Sequence, residues 1–256
     1  MLNANLNFGD PIFVATVVLV FLFGLTFGSF LNVVIHRIPR GLPLVLRRSA
    51  CPRCDAPIRA YDNIPVLSWL ILRGRCRSCR APISGRYALV ELLTAVTFVA
   101  VFLTFGLTVA ALKFATFGFL LVGLIFTDAE THLLPDKLTL PGIALGLMFS
   151  LFVPVDDLAA KLLPFLGDLP VSSNLSARLF WFADAVMGAA LGASFIYGAG
   201  WIYLRARNVE GMGFGDVKLM AMVGAFLGVK LTVLVIFSAS LVGSAFGLGT
   251  ILLVWV

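Results

Sequence analysis

The chain has 256 residues and a formal net charge of +6, with 60% hydrophobic and only 12% charged residues. Soluble domains average about 25% charged residues, so this composition excludes a soluble enzyme with one anchor and predicts an integral membrane protein. The first ten residues contain no lysine or arginine. Because a cleavable secretory signal carries positive charge there, we expect the first apolar segment to be retained.

Seven apolar runs predict membrane helices, since most are long enough to cross about 30 Å of hydrocarbon. In chain order they cover residues 12–35, 87–106, 108–127, 137–154, 181–204, 217–230 and 231–256. The sixth run is short, and its boundary with the seventh is not sharp. The predicted fold class is an all-α polytopic membrane protein with about seven transmembrane helices.

A polar segment, residues 36–86, separates the first two runs. It holds 11 of the 19 basic residues and only two acids, Asp55 and Asp62. The positive-inside rule therefore places it in the cytoplasm. The predicted domains are a first transmembrane helix at 1–35, a cytoplasmic domain at 36–86 and a multi-helix membrane domain at 87–256.

The basic charge of this segment has a simple physical explanation. Topology and attraction to anionic lipid account for most of it. The segment shows no periodicity typical of a recognition helix, so we predict membrane lipid as a partner and no nucleic acid.

Two aspartates, Asp128 and Asp216, lie at the membrane edge that this topology assigns to the cytoplasm. Asp128 ends the third run, and Asp216 follows the glycine-rich turn at 213–215. An ionisable group at the rim of a membrane segment is a functional candidate. Two carboxylates that meet can share a proton and activate water, as in aspartic proteases. Each also has a structural interpretation, Asp128 as a helix-end cap and Asp216 as the N-cap of the next helix.

The four cysteines all lie in the predicted cytoplasmic segment, as two Cys-x-x-Cys pairs separated by 21 residues: Cys51, Cys54, Cys76 and Cys79. Four thiolates close a tetrahedral zinc shell with no open position, which is typical of structural zinc. The alternative is four free thiols or a redox pair. The reducing cytosol argues against disulfides, and the zinc would fold a loop too small to build its own core.

Five blocks, in order, closely resemble the type IV prepilin leader peptidases over nearly the whole chain. They are 28–35 with Arg37 and Pro39; 63–70 between the cysteine pairs; 83–87 with 90–94; Asp128 with 134–136; and the Gly-x-Gly-Asp block at 213–219. A single block is weak evidence. Five in order, together with the cysteine spacing, are specific.

The resemblance implies a bacterial inner-membrane enzyme whose zinc domain and active site face the cytoplasm. Members cleave the leader of type IV prepilins and pseudopilins after a glycine. They then methylate the new N-terminal residue with S-adenosylmethionine. The resemblance makes Asp128 and Asp216 the catalytic pair and assigns zinc to the four cysteines. The substrates it implies carry a basic leader before an apolar helix.

The resemblance leaves two points open. No residue of the methyl-donor site is assigned. Members usually have eight helices, with a Pro-Phe-Gly-Pro-like block near the C-terminus. This chain ends instead in the apolar run 251–256, so we expect it to be truncated or divergent there.

Two other functions remain as alternatives. One is a Gly-x-Gly-Asp peptidase without methyltransferase activity, such as the archaeal preflagellin peptidases, which generally lack the cysteine domain. The other is a non-enzymatic membrane assembly factor or a carrier. Carriers show internal repeats and acids near the bilayer midplane. Here the key acids are predicted at the edge, and we find no clear repeat.

Three more acids carry an expectation. We expect Glu91, inside the second run, either to pair with Arg86 or to serve the methylation site. Asp136 precedes a run and is interpreted mainly as its N-cap. Asp184 is expected at the outer membrane interface.

Overall fold

The computed structural model describes residues 10–44, 49–51, 53–154, 175–209 and 211–255, so that Arg47 and Arg48 of the basic segment fall outside the described residues. Seven α-helices and one short 3₁₀ helix, Ala60–Asn63, lie in these ranges. We number the helices α1 Pro11–Arg37, α2 Leu67–Ile71, α3 Arg86–Phe105, α4 Val109–Thr131, α5 Asp136–Ser150, α6 Leu175–Arg207 and α7 Phe214–Trp255.

The all-α membrane class is confirmed. Within the described ranges there is no β-strand, and five helices (α1, α3, α4, α6 and α7) are long and apolar enough to cross a membrane. Helix α5 has only 15 residues. Helix α7 covers the segment predicted at 217–230 and the described part of that predicted at 231–256. It is broken at Gly228, with φ 70° and ψ −176°.

Local signals in the sequence explain where several helices begin and end. The Asp10 carboxylate accepts the Ile12 N–H at 2.9 Å, and Pro11 occupies the first helical position of α1. Both features are favoured at a helix N-terminus. Thr108 caps α4 in the same way, and α4 ends at His132 in the left-handed conformation. That conformation turns the chain out of the helix.

The chain divides into two compact units, residues 1–138 and 139–256. In the first unit α1 packs against α3, and α4 packs against both. Helices α1 and α3 approach closely because Gly24 and Gly28 lie at their crossing. A Cβ atom at Gly24 would lie 2.5 Å from the Ala95 Cα, and one at Gly28 would lie 2.5 Å from the Glu91 Cα. Small residues at such crossings let membrane helices pack backbone to backbone.

In the second unit α6 packs against α7 through glycines on both helices. A Cβ atom at Gly188 would lie 2.6 Å from the Gly224 carbonyl oxygen, and one at Gly192 would lie 2.5 Å from that of Met220. Helix α5 also contributes to this unit, since the rings of Phe149 and Phe226 are 6.4 Å apart.

Asp184 lies further from the start of its helix than the apolar run at 181–204 predicted, and its place at the outer membrane interface stays a prediction. Helix α6 begins at Leu175, so Asp184 is well inside it, and its carboxylate accepts the Val229 N–H at 3.4 Å. Val229 directly follows the break at Gly228. A carboxylate there gives a polar partner to the backbone directly after the break.

The α6–α7 packing leads to a prediction that Gly188→Ala will destabilise the protein and Gly198→Ala will not. The first Cβ meets fixed backbone, whereas the second has no atom within 4 Å among the described residues. Overpacking costs about 1–3 kcal/mol, so thermal unfolding in detergent should begin at a lower temperature for Gly188→Ala only. Equal melting of the two variants would contradict the close packing.

Candidate functional site

The two cysteine pairs fold into similar knuckles. The Cys51 N–H donates to the Ala56 carbonyl at 3.0 Å, and the Cys76 N–H donates to the Ala81 carbonyl at 2.8 Å. Isolated bridges from Ala50 to Pro57 and from Arg75 to Pro82 flank the knuckles.

A repeat in the sequence underlies this likeness. Each pair is followed by one residue and then Ala-Pro-Ile, at 51–58 and again at 76–83. The residue after the second cysteine, Asp55 or Arg80, has a positive φ of 52° or 59°. The repeated eight-residue pattern indicates that the two knuckles have similar folds, which the spacing of the cysteines alone does not indicate.

The knuckles bring all four thiols together. The Sγ atoms of Cys51, Cys54, Cys76 and Cys79 lie within 4.8 Å of one another, and those of Cys51 and Cys79 are 3.8 Å apart. Tetrahedral coordination with Zn–S bonds of about 2.3 Å requires S···S separations of about 3.8 Å. The backbone N–H groups of Arg53 and Cys54 lower the pKa of the Cys51 thiol to about 7, whereas hydrogen bonding to Cys79 and burial raise the pKa of the Cys54 thiol to about 12. The geometry of the four sulfur atoms, and not their acidity, therefore indicates a metal site. The cluster can therefore hold a metal ion.

An ion pair connects the second knuckle to the segment between the cysteine pairs. The Arg77 Nε atom donates to both carboxylate oxygens of Asp62, at 3.0 and 2.9 Å, and its Nη2 atom lies 2.6 Å from Oδ1. Hydrogen bonding from Arg77 holds the pKa of Asp62 below its usual value. Because Arg77 lies between two of the cysteines, the pair fixes the knuckle against the 3₁₀ helix.

Glu91 connects the cysteine-bearing segment to the membrane helices. Its side chain is buried, and Oε2 accepts the Val66 N–H at 2.7 Å. Ser29 and Asn32 of α1 also interact with the carboxyl group, and the Asn32 amide donates to the Tyr87 carbonyl at 2.9 Å. The expected pair with Arg86 is not formed, so that interpretation of Glu91 was wrong.

The turn held by Glu91 has an unusual backbone. Val66 has φ 59° and ψ −49°, and the Leu67 N–H donates to the Pro65 carbonyl across it at 2.5 Å. A β-branched residue with positive φ is a genuine outlier, and such strain costs on the order of 1–3 kcal/mol. The Glu91 hydrogen bond helps to retain it.

Arg86 pairs with Glu130 instead of Glu91. Its Nη1 atom lies 2.5 Å from Glu130 Oε1, and both side chains are about three-quarters buried, with relative exposures of 21% and 24%. Helices α3 and α4 are joined by a short turn at their other ends, so this ion pair fastens the open end of the hairpin. Sequence reasoning missed it because 44 positions separate the two residues.

Asp128 lies in the last turn of α4, two residues before Glu130. Its side chain is exposed, and its carbonyl accepts the His132 N–H at 2.7 Å. It is the Asp128 backbone, and not its carboxylate, that takes part in the helix-end hydrogen bond, so the cap interpretation does not explain the side chain.

Asp216 is also exposed and lies in the first turn of α7, which begins at Phe214. Its N–H donates to the Gly213 carbonyl at 3.1 Å. The alternative reading of Asp216 as an N-cap is therefore wrong, because the helix starts two residues earlier. Asp128 belongs to the first unit and Asp216 to the second, and the meeting of their carboxylates stays a prediction.

Asp136 is the first residue of α5. It therefore stands one position inside the helix and not at the N-cap expected from the sequence. An acid in the first turn of a helix still interacts favourably with the helix dipole.

Comparison with known proteins assigns these features to one family. Residues 22–105 match the model of the bacterial peptidase A24 N-terminal domain, and residues 114–248 match that of the type IV leader peptidase family. The chain belongs to the type IV leader peptidase family. The first match contains all four cysteines and Glu91, and the second contains both aspartates.

Curated relatives of this family cover most of the chain. One from Aeromonas hydrophila, named prepilin leader peptidase/N-methyltransferase, is 41% identical over 92% of this chain and 81% of its own length. Relatives of the same name from Pseudomonas aeruginosa and Neisseria gonorrhoeae are each 38% identical, over 91% and 86% of this chain and 80% and 77% of their own lengths. No solved structure matches this one.

The Glu91 contact generates a prediction about the cysteine-bearing segment. Glu91→Leu removes the acceptor of the Val66 N–H, and an unpaired buried donor costs about 1–3 kcal/mol. Hydrogen exchange at residues 61–72 should accelerate. Glu91→Gln keeps an acceptor oxygen at the same distance from the backbone, so hydrogen exchange at residues 61–72 should be nearly as slow as in the parent. Equally fast exchange in both variants would contradict the role of Glu91 as the acceptor.

Proposed function

We propose that the chain is a prepilin leader peptidase with N-methyltransferase activity. Its family membership, together with relatives of that name over about nine-tenths of the chain, is the observation that carries the proposal. The enzyme cleaves the leader of type IV prepilins and pseudopilins and methylates the new N-terminus. The type IV pilus and type II secretion systems are the expected settings.

Asp128 and Asp216 are proposed as the catalytic pair. Both carboxylates are exposed at helix ends, where water can reach them. In this mechanism the ionised aspartate takes a proton from water as the water attacks the scissile carbonyl, and the protonated aspartate donates to the carbonyl oxygen. Two close carboxylates do not both ionise at low cost, so one holds a proton.

The helix ends offer a reason for the two roles to differ. The dipole of a helix favours negative charge in its first turn and disfavours it in its last. Asp216 lies in a first turn and Asp128 in a last turn. We therefore assign the base that activates water to Asp216 and the proton donor to Asp128.

Zinc is the metal proposed for the four cysteines. Four sulfur ligands in two Cys-x-x-Cys knuckles form a closed shell of the structural kind. With every position taken by a thiolate, the metal would stabilise the segment 36–86 and would not bind substrate. This segment is the proposed zinc domain, and residues 87–256 form the membrane domain that carries the peptidase site.

S-adenosylmethionine is the proposed methyl donor, and it supplies an activated methyl group to the free amine of the new N-terminus. The match to the N-terminal domain of the family, over residues 22–105, favours this bifunctional enzyme over a peptidase without methylation.

The substrate and the location follow from the same proposal. A prepilin carries a basic leader before an apolar helix, which an enzyme of the inner membrane can hold within the bilayer. The segment 36–86 is proposed to face the cytoplasm, because it holds 11 of the 19 basic residues.

The catalytic pair is tested by Asp128→Asn and Asp216→Asn in liposomes with a prepilin whose junction is Gly-Phe. Each change should lower kcat for cleavage at least about a thousandfold, because an amide replaces neither the base nor the acid. Mass spectrometry should also show a gain of one methyl group on the mature product only when S-adenosylmethionine is present.

Asp136→Asn is the matched control, since this acid lies in the same sequence block and outside the proposed pair. It should retain most of the cleavage activity. Normal cleavage by either Asp128→Asn or Asp216→Asn, with intact folding, would overturn the pair. Cleavage without methylation would support the simpler peptidase.

The zinc assignment predicts about one zinc ion per purified chain, measured by elemental mass spectrometry. Cys54→Ser should lose most of the zinc and speed up hydrogen exchange over residues 49–83, because metal binding and folding are coupled. Ser78→Ala, between two of the cysteines, should keep both properties. Full zinc occupancy in Cys54→Ser would remove that cysteine from the ligand set.

A further inference from the structure

A stripe of exposed apolar side chains lies between the two cysteine pairs. Ile64, Leu67, Leu70 and Ile71 have relative exposures of 46%, 50%, 57% and 67%, and Tyr61 before them has 51%. The spacing of three and four residues places Leu67, Leu70 and Ile71 on one face of α2. Ser68 on another face is buried. A contiguous exposed apolar surface of this kind marks an interaction site.

The position of α2 along the membrane helices identifies the partner. Val66, directly before α2, donates its N–H to Glu91. Glu91 lies five residues after the start of α3, which is about 7.5 Å along the helix axis. Because α3 is one of the candidate membrane spans, this hydrogen bond places the start of α2 beside the second turn of a candidate span.

A second contact fixes α2 beside the start of α3. The Trp69 indole N–H donates to the Ile83 carbonyl at 3.1 Å. A Cβ atom at Gly85 would lie 3.5 Å from the Trp69 ring. Trp69 thus faces the protein while the stripe faces away from it.

The charge around the stripe matches a bilayer surface. Exposed arginines follow it at Arg73 and Arg75, and Arg59 precedes it. An amphipathic segment with apolar residues on one side and arginines at its edges lies in the plane of the interface and is attracted to anionic headgroups.

We propose that residues 59–75 form a membrane-surface anchor. Tyr61, Ile64, Leu67, Leu70 and Ile71 lie in the boundary between headgroups and acyl chains, and the flanking arginines contact anionic headgroups. The anchor connects the cysteine-bearing segment to the membrane surface. The anchor proposal depends on the membrane spans and not on the peptidase activity. An experiment can therefore refute the anchor without refuting the proposed function, and the reverse.

The intact protein in nanodiscs of phosphatidylcholine and phosphatidylglycerol provides the test. One lipid carries a photoreactive diazirine in its acyl chain, near the glycerol. After irradiation, we expect acyl adducts on the peptide that contains 61–71, as on peptides from the outward face of α3. The knuckle peptides 51–58 and 76–83 should remain unlabelled. No adduct on 61–71, with α3 labelled, would overturn the anchor.

Two variants sharpen the result. The combined change Leu67→Ser, Leu70→Ser and Ile71→Ser should lower the adduct yield about tenfold, because the apolar area that favours the boundary is removed. Zinc content and labelling of α3 are the controls for folding. Labelling of the parent chain requires no variant, so misfolding of the triple variant would leave the test intact.

The arginines are tested separately by hydrogen exchange of residues 61–72. Exchange in the parent should be slower in nanodiscs with phosphatidylglycerol than in those with phosphatidylcholine alone, and Arg73→Asn with Arg75→Gln should remove the difference. No lipid dependence in the parent would overturn the headgroup contact. Protection that arises only when a prepilin is added would assign the stripe to a protein partner and overturn the anchor.

Discussion

The close crossing of α1 and α3 is the constraint on which the first unit depends. In hydrocarbon there is no hydrophobic force between helices, so close packing and hydrogen bonds must hold them. Gly24 and Gly28 let the two backbones approach until a Cβ atom would lie 2.5 Å from a neighbouring Cα. The crossing places Asn32 within reach of the Tyr87 carbonyl and brings Ser29 to Glu91. The Glu91 carboxyl group can then accept the Val66 N–H outside the helix pair. This hydrogen bond joins the cysteine-bearing segment to the membrane helices.

Sequence reasoning was most successful where the signal was local. Long apolar runs predicted α1, α3 and α4 to within a few residues, since a span must satisfy its own backbone hydrogen bonds. The run at 137–154 corresponds to the 15-residue α5, and the last two runs lie in the single broken helix α7. The cysteine spacing predicted the cluster that the structure forms, because two knuckles with four thiols have few other uses.

The N-cap positions expected for Asp136 and Asp216 were local errors, since each helix begins at or before that residue. The error over Glu91 came from contacts between residues distant in sequence. Pairing with Arg86, five residues away, was one of the two roles expected of Glu91, and the structure does not form that pair. In the structure Arg86 forms an ion pair with Glu130 on the next helix. Glu91 accepts a hydrogen bond from a turn 25 residues earlier. Helix α6 begins at Leu175, before the apolar run at 181–204 that predicted it. Neither partner choice is encoded in periodicity or motif spacing.

The break in α7 decides how the second aspartate is held. Asp216 begins a helical half that ends at the break at Gly228. This half contacts the α6 backbone through Gly224 and Met220. An unbroken helix would force its two halves to share one direction. The Asp184 carboxylate accepts the Val229 N–H directly after the break, so α6 contacts α7 there as well as through the glycines of the first half. Packing against the α6 backbone therefore sets the orientation of the helical half that carries Asp216. Asp184, well inside α6, makes that orientation compatible with the membrane.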